Sequence, residues 1–169
     1  MSGLGSAPLP PPAIDDHVAG DPAAGPVAIV YADYECPFCA RLDRVLRERE
    51  ARWIFRHFPV RSRHPRAWAA AAAAEAAGLQ GRFWEMHAAL YADQGRLEDP
   101  HLWARAERLG LDIDRFEEDR RAEAVRLRIA RDFESGVRTG VVTTPTLFLD
   151  GVPHAGVPDE AVLTLLAPE

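Results

Sequence analysis

Apolar residues along this chain follow two spacings in alternation. Residues 27–31, Val-Ala-Ile-Val-Tyr, make a short continuous apolar run rich in β-branched side chains, bounded by Gly25-Pro26 and by Cys36-Pro37. That pattern predicts a central strand buried on both faces. Helical spacing follows over 39–50, with Leu42, Val45 and Leu46 on one inner face. Residues 53–58, Trp-Ile-Phe-Arg-His-Phe, predict a second strand closed by Pro59. From Pro65 to about residue 138 the spacing is helical, and beyond that the strand signal returns.

Inside the helical stretch, residues 67–77 form a near-continuous alanine helix that allows close packing and is stopped by Gly78. Residues 82–91 follow, with Phe83, Trp84, Met86, Leu90 and Tyr91 available for a core rather than a cofactor pocket. Asp99-Pro100 suits the cap and first position of a helix reaching Leu109 and ended by Gly110. A short helix over 112–120 precedes a longer one to about Val137, in which Val125, Ile129, Phe133 and Val137 recur at four-residue steps. Residues 146–154 then predict a hairpin turning at Asp150-Gly151, with Pro153 on an edge or bulge. Residues 158–166 predict a closing helix, and a short edge strand is expected around 14–18. Residues 1–13 are rich in Pro, Gly and Ser without periodicity and read as a disordered lead-in.

Alternating strand and helix ahead of the block implies a parallel pair, and the hairpin adds antiparallel strands. The expected fold class is α/β: a mixed central sheet flanked by helices, in one domain over 14–169 with an all-helical insertion over about 65–138. A length of 169 residues suits one domain carrying an insertion, and 47% apolar with 27% charged residues is the balance of a soluble globular protein. The formal charge of −6 argues against nucleic-acid binding. No apolar run approaches the ~20 residues of a membrane span. Residues 1–12 lack the basic and apolar regions of a secretory signal, so a cytoplasmic location, where thiols are held reduced, is expected. No dimerisation segment is evident, and a monomer is expected.

The two cysteines of the chain fall together as Cys36-Pro37-Phe38-Cys39, at the junction of the first predicted strand and helix. The first turn of a helix leaves N–H groups unpaired and carries the positive end of the helix dipole, which stabilises a thiolate. Cys36 is therefore expected as an exposed, attacking sulfur at a helix N-terminus. Pro37 suits the first helical position. Cys39, one turn along the same face, could attack a mixed disulfide on Cys36 and release its partner. A structural disulfide across so short a loop would constrain little of the unfolded chain, and a zinc site would need two more ligands at short spacing. No metal is expected. A basic stretch with Arg56, His57, Arg61, Arg63, His64 and Arg66 could dock anions, but the preferred reading is a solvated loop with a few capping contacts. His87 and His101 are read as structural or surface groups.

The words Asp33-Tyr34-Glu35-Cys36-Pro37-Phe38-Cys39, Phe55-Arg56-His57-Phe58-Pro59, His64-Pro65, Phe83-Trp84-Glu85-Met86-His87, Leu109-Gly110-Leu111-Asp112 and Thr143-Thr144-Pro145-Thr146 stand in this order. With them the chain resembles the DsbA-like branch of the thioredoxin superfamily, closest to the cytosolic domains that occur alone or attached to sodium/proton antiporters. The resemblance implies a thiol–disulfide oxidoreductase with Cys36 as nucleophile and Cys39 as resolving thiol. Pro37, Phe38, Thr144 and Pro145 would meet the substrate, a cysteine-containing protein or peptide, and a further redox partner would recycle the pair. No metal or organic cofactor is implied, because the electrons reside in the cysteines. It also implies that Pro145 is cis and presents the Thr144 backbone to a substrate strand; taken alone, Pro145 suits a trans strand-start proline equally well. Related domains often carry a buried Glu six positions before the first cysteine, where this chain has Val30; water or Asp33 is the expected substitute in proton handling. Phe38 stands where strongly oxidising members carry histidine, which implies a weaker oxidant. The alternative reading is a non-catalytic redox-sensing or interaction module of the same fold.

Overall fold

The structure is a computed structural model and describes residues 7–21 and 25–167. Five strands form one mixed sheet: β1 (His17–Ala19), β2 (Ala28–Ala32), β3 (Trp53–His57), β4 (Thr146–Leu149) and β5 (Val152–Ala155), in the order β1-β3-β2-β4-β5. β2 and β3 are parallel, while β1, β4 and β5 join antiparallel to their neighbours. Period-two alternation sends Ala28, Val30, Trp53, Phe55, Leu147 and Leu149 to one core, and Ile29, Tyr31, Ile54 and Phe148 to the other. Every residue of β2 and β3 is buried, as strands covered on both faces must be.

The helix α1 (Pro37–Glu48) crosses between the parallel strands. Between β3 and β4 lie α2 (Ala67–Leu79), α3 (Phe83–Ala92), α4 (Asp99–Arg108), α5 (Ile113–Arg121) and α6 (Glu123–Arg138), and α7 (Glu160–Thr164) follows the hairpin. In α2 the run of small side chains is buried almost throughout, which lets α3, α5 and α6 pack closely around it.

Several expectations shift. The edge strand lies at His17–Ala19 rather than 14–18, and Ile14 is fully exposed. In α6 the buried residues are Val125, Ile129, Asp132, Ser135 and Gly136, so the four-residue stripe drifts out to solvent by Val137. A 3.6-residue turn cannot hold a strict spacing of four on one face. Residues 7–13, part of the expected lead-in, run as an extended segment held by hydrogen bonds from Arg56 to the Pro10 and Pro11 carbonyls, 3.0 and 2.9 Å, and from Ala7 N–H to the Arg138 carbonyl. Residues 1–6 of that reading lie outside the described residues.

Gly136 is where α6 meets the sheet. A Cβ there would stand 2.6 Å from Phe58 Cδ2 and 2.9 Å from Tyr31 Cδ1, inside the contact distance of packed rings. Gly136→Ala gains about 1 kcal/mol of helix propensity against overpacking that typically costs ~1–3 kcal/mol. These rings are themselves packed on Phe133 and Phe148 and have little room to yield. The expected result is a net loss, read as a melting temperature lower by roughly 2–8 °C; an unchanged or raised value would contradict it.

Candidate active site

The parallel strands end on the same side of the sheet, and Cys36 follows the C-terminal end of β2 there. Cys36 is the N-cap of α1, with extended φ −81 and ψ 121, and Pro37 takes the first helical position; helical geometry thus begins at 37 rather than 39. Contrary to expectation the Cys36 residue is only 4% exposed: it forms part of the wall of a cleft of about 610 Å³. Three stretches of the chain line the cleft with Cys36: Pro37 and Phe38; Val60, Ser62, Arg63 and His64; and Val142, Thr143 and Thr144. Phe38 and Val142 stand out from it, 60% and 90% exposed, as an apolar rim.

The two thiols sit in opposite environments. A hydrogen bond from Cys39 holds the Cys36 pKa down to about 6, against the raising effect of burial, and backbone N–H groups of Cys39 and Phe38 in the first turn add to the lowering. Burial pushes the Cys39 thiol well up, and the Cys36 sulfur adds to this. Cys39 Sγ accepts the Asp33 backbone N–H at 3.4 Å, while Cys36 Sγ lies 3.5 Å from the Thr144 carbonyl oxygen. The Thr144–Pro145 peptide bond is cis. One sulfur is thus a thiolate at neutral pH in the cleft wall, and the other a protonated thiol with almost no exposed surface.

This asymmetry is measurable by alkylation of the reduced protein. The Cys36 rate should rise through pH 6 and level off above it, where a free thiol would rise through ~8.5. A midpoint above pH 8 would contradict it. Because the folded value lies below the unfolded one, the thiolate stabilises the folded dithiol form fully above about pH 8.5. That contribution shrinks toward pH 6 and is lost below it.

The loop before Cys36 is clamped from the helical block by His87, expected as a structural or surface group, and by Gln94, which the sequence did not single out. Gln94 Nε2 donates to the carbonyls of Tyr34 and Cys36 at 2.8 and 2.9 Å. Tyr34 OH bonds His87 Nδ1 at 2.9 Å, and His87 Nε2 bonds Asp43 Oδ1 of α1 at 2.8 Å. His87 is therefore a buried structural group, its pKa lowered by burial. Gln94 gives no periodic or motif signal, since its role depends on where the loop after α3 returns.

Two expectations about charged groups are corrected. Asp33 is 1% exposed and its carboxylate is committed to the loop: Oδ1 accepts Glu35 N–H at 2.8 Å, and Oδ2 accepts Val60 N–H at 2.7 Å and His64 Nδ1–H at 2.9 Å. Only its backbone reaches Cys39. Val30 lies buried within the apolar core. Nor is the basic stretch a solvated loop throughout, because Arg56 and His57 belong to β3 and are buried. Arg56 reaches Asp16, and His57 reaches Glu75, each finding a carboxylate to offset desolvation.

Among the described residues, His17, His57 and Glu75 form a group of three metal-capable ligands away from the cysteines. Both Nε2 atoms converge on one oxygen of Glu75 at 2.7 Å, with Arg128 Nε at 4.0 Å. Burial alone would raise the Glu75 pKa, but the hydrogen bonds from His17 and His57 hold it well below the carboxylate range. The cluster reads as donors gathered around a buried anion, pinning β1 to α2.

A family model described as thioredoxin matches residues 13–166. Over 147 residues the chain is 45% identical to the Na(+)/H(+) antiporter NhaA 1 of Salinispora arenicola, aligning 83% of this chain with 22% of that protein. It is 40% identical over 156 residues to the Na(+)/H(+) antiporter NhaA 1 of Mycolicibacterium gilvum, aligning 88% of this chain with 25% of that one. The chain spans about a quarter of the length of these curated relatives. Among solved structures, a thioredoxin-like oxidoreductase from Silicibacter pomeroyi superposes with a TM-score of 0.80 at 24% identity, covering 90% of each chain. The thiol-disulfide exchange protein alpha-DsbA2 from Wolbachia pipientis superposes at 0.78 with 21% identity, covering 89% of this chain and 84% of that one. At those identities the likeness is one of fold. No helix among the described residues is long and apolar enough to cross a membrane.

Proposed function

The chain belongs to the thioredoxin family, and on that premise we propose that it is a thiol–disulfide oxidoreductase acting on cysteine-containing proteins or peptides. The observation that carries this is the opposed state of the two thiols, a depressed Cys36 at the cleft and a raised, buried Cys39. Cys36 attacks a substrate sulfur to form a mixed disulfide, and Cys39 resolves it. Pro37, Phe38 and Thr144, which line the cleft with Cys36, hold the substrate there, together with Pro145, joined to Thr144 by the cis bond. The electrons reside in the cysteine pair, so the exchange needs no metal or organic cofactor. A second redox protein recycles the pair. Both cysteines are used by the site and none is left for structural disulfides, which accords with a reducing, cytoplasmic setting.

A Cys36 pKa of about 6 lies between those of thioredoxin, about 7, and DsbA, about 3.5. One pKa unit is about 1.4 kcal/mol, or about 30 mV for a two-electron couple. Thiolate stabilisation alone then predicts a potential near −240 mV, some 30 mV above thioredoxin's ~−270 mV. Equilibration with glutathione buffers measures it; a value near −120 mV would contradict the weak-oxidant reading.

The part-length match to antiporters favours one second reading, a redox-responsive module attached to a transporter. Reduction of insulin by a thiol reductant separates the two. Many turnovers per molecule are expected of the enzyme; a single turnover would support the module instead.

A further inference from the structure

We infer that His64, held by Asp33, is the group that gives and takes the proton of the substrate sulfur in the cleft. This rests on the oxidoreductase reading above and adds a residue to it.

The geometry points to His64 from three sides. First, the pair lacks a buried acid beneath it, since Val30 lies in an apolar core and the Asp33 carboxylate is taken up by three donors. Second, the side chains that line the cleft together with Cys36 include Arg63 and His64, and of these two only an imidazole exchanges protons near neutral pH. Third, His64 is built into place. Its backbone N–H donates to the Val60 carbonyl at 2.8 Å, and the Val60 N–H and His64 Nδ1–H both end on Asp33 Oδ2. That carboxylate accepts backbone N–H groups at both oxygens, so the proton of the His64 contact belongs to Nδ1. Nε2 is then the free lone pair. It has no protein partner among the described residues, and the side chain is 22% exposed where it lines the cleft. A carboxylate that fixes tautomer and ring orientation makes Asp33 a positioning residue, as in other imidazole bases.

In the reducing direction the Cys36 thiolate attacks one sulfur of the substrate disulfide. The Cys36–substrate bond forms, the substrate S–S bond breaks, and the departing sulfur leaves with the electron pair and takes a proton from Nε2 of the imidazolium form of His64, which had gained it from water in the open cleft. Cys39 then attacks Cys36 Sγ; the Cys36–Cys39 disulfide forms and the second substrate sulfur leaves with the proton given up by Cys39. Two electrons have passed from the cysteine pair to the substrate, and His64 regains its proton from water in the open cleft. The oxidising direction reverses each step, with Nε2 accepting the proton of the attacking substrate thiol. The charges facing His64 are Asp33 and the Cys36 thiolate from the active-site loop, Glu35, which accepts the Arg66 N–H, and Arg61, Arg63 and Arg66 of its own turn. Of these arginines, Arg61 lies over the Trp68 ring and Arg66 reaches the Leu97 carbonyl and Asp99.

The test exploits the leaving group. A strongly acidic aryl thiolate departs without a proton, whereas an alkyl thiolate gains from one. His64→Asn keeps an N–H for Asp33 and removes the titrating nitrogen. Single-turnover rates of the reduced protein at pH 7 are measured with oxidised glutathione and with a nitrobenzoate aryl disulfide. The expected result is about a tenfold or greater loss with glutathione disulfide and less than a twofold change with the aryl disulfide. Equal losses with both would show His64 acting through the fold or the Cys36 thiolate alone, and equal rates with both would show no role; either overturns the inference while the oxidoreductase reading stands. A wild-type protein inert to both disulfides would remove that reading as well. Should His64→Asn not fold, His64→Gln is measured in its place with the same two disulfides: a loss confined to glutathione disulfide supports the inference, and equal losses or equal rates with both overturn it.

Discussion

Cys36→Ser is expected to lose thiol–disulfide exchange by a factor of at least ~10³, with the fold retained. At a pKa of about 6, roughly nine-tenths of Cys36 is thiolate at pH 7, whereas a serine hydroxyl is not a nucleophile there and cannot form a disulfide at all. The partner substitution should fail differently. Cys39→Ser leaves the attacking thiolate in the cleft but removes the buried thiol that resolves the intermediate. It should therefore accumulate a stoichiometric mixed disulfide on Cys36, visible as the added mass of glutathione or a cysteine peptide. Cys39→Ala, which removes the donor altogether, should also move the Cys36 alkylation profile up, because the largest cause of the low Cys36 pKa is the hydrogen bond from Cys39. Residual turnover in Cys36→Ser, or trapping on Cys39 rather than Cys36, would sink the assignment of roles.

The largest expected loss of stability lies at the other side of the sheet. Arg56 donates from Nη2 to Asp16 Oδ2 at 2.9 Å and from Nε to Oδ1 at 3.3 Å, with further bonds to Tyr31 OH and the carbonyls of Pro10 and Pro11. The two side chains are 4% and 1% exposed. Arg56→Met should cost about 3–5 kcal/mol, mainly because Asp16 is left buried without its counter-ion. For a chain of this size that lowers the melting temperature by roughly 6–20 °C. Arg128 Nη2, 3.9 Å from Asp16 Oδ1, is too distant to replace the bidentate pair. Replacing both partners, as Arg56→Met with Asp16→Leu, should recover much of the loss, since no unpaired charge then remains. A double variant no more stable than Arg56→Met would show the loss to come from the three other hydrogen bonds rather than from charge burial.

What could be read from the sequence were the features written in a few adjacent residues. The buried strands announced themselves as continuous apolar runs, the hairpin as Asp150-Gly151, and the redox pair as two cysteines one helical turn apart behind a strand. Each rests on local geometry: side-chain period, turn dihedrals, and the orphan N–H groups of a helix start. That the hairpin adds antiparallel strands was legible too, whereas its docking through β4 onto the edge of β2 was decided by the fold.

The remaining features were decided by tertiary contact. Arg56 and His57 looked like part of a solvated basic turn because a sequence shows charge but not the carboxylate that meets it, and Asp16 and Glu75 lie 40 and 18 positions away. His64 read as one more basic residue until the turn at Val60 brought it onto Asp33, 31 positions earlier. Gln94 became a clamp on the loop only because the chain returns there after α3, 60 positions past Tyr34. The motif itself pointed to the kind of chemistry proposed for this protein, because a helix start beside two sulfurs favours one thiolate. Which sulfur is buried, which carboxylate is neutralised and which imidazole faces the cleft depend on desolvation and on partners far apart in the chain. Those are properties that exist only once the sheet and its helices have closed around them.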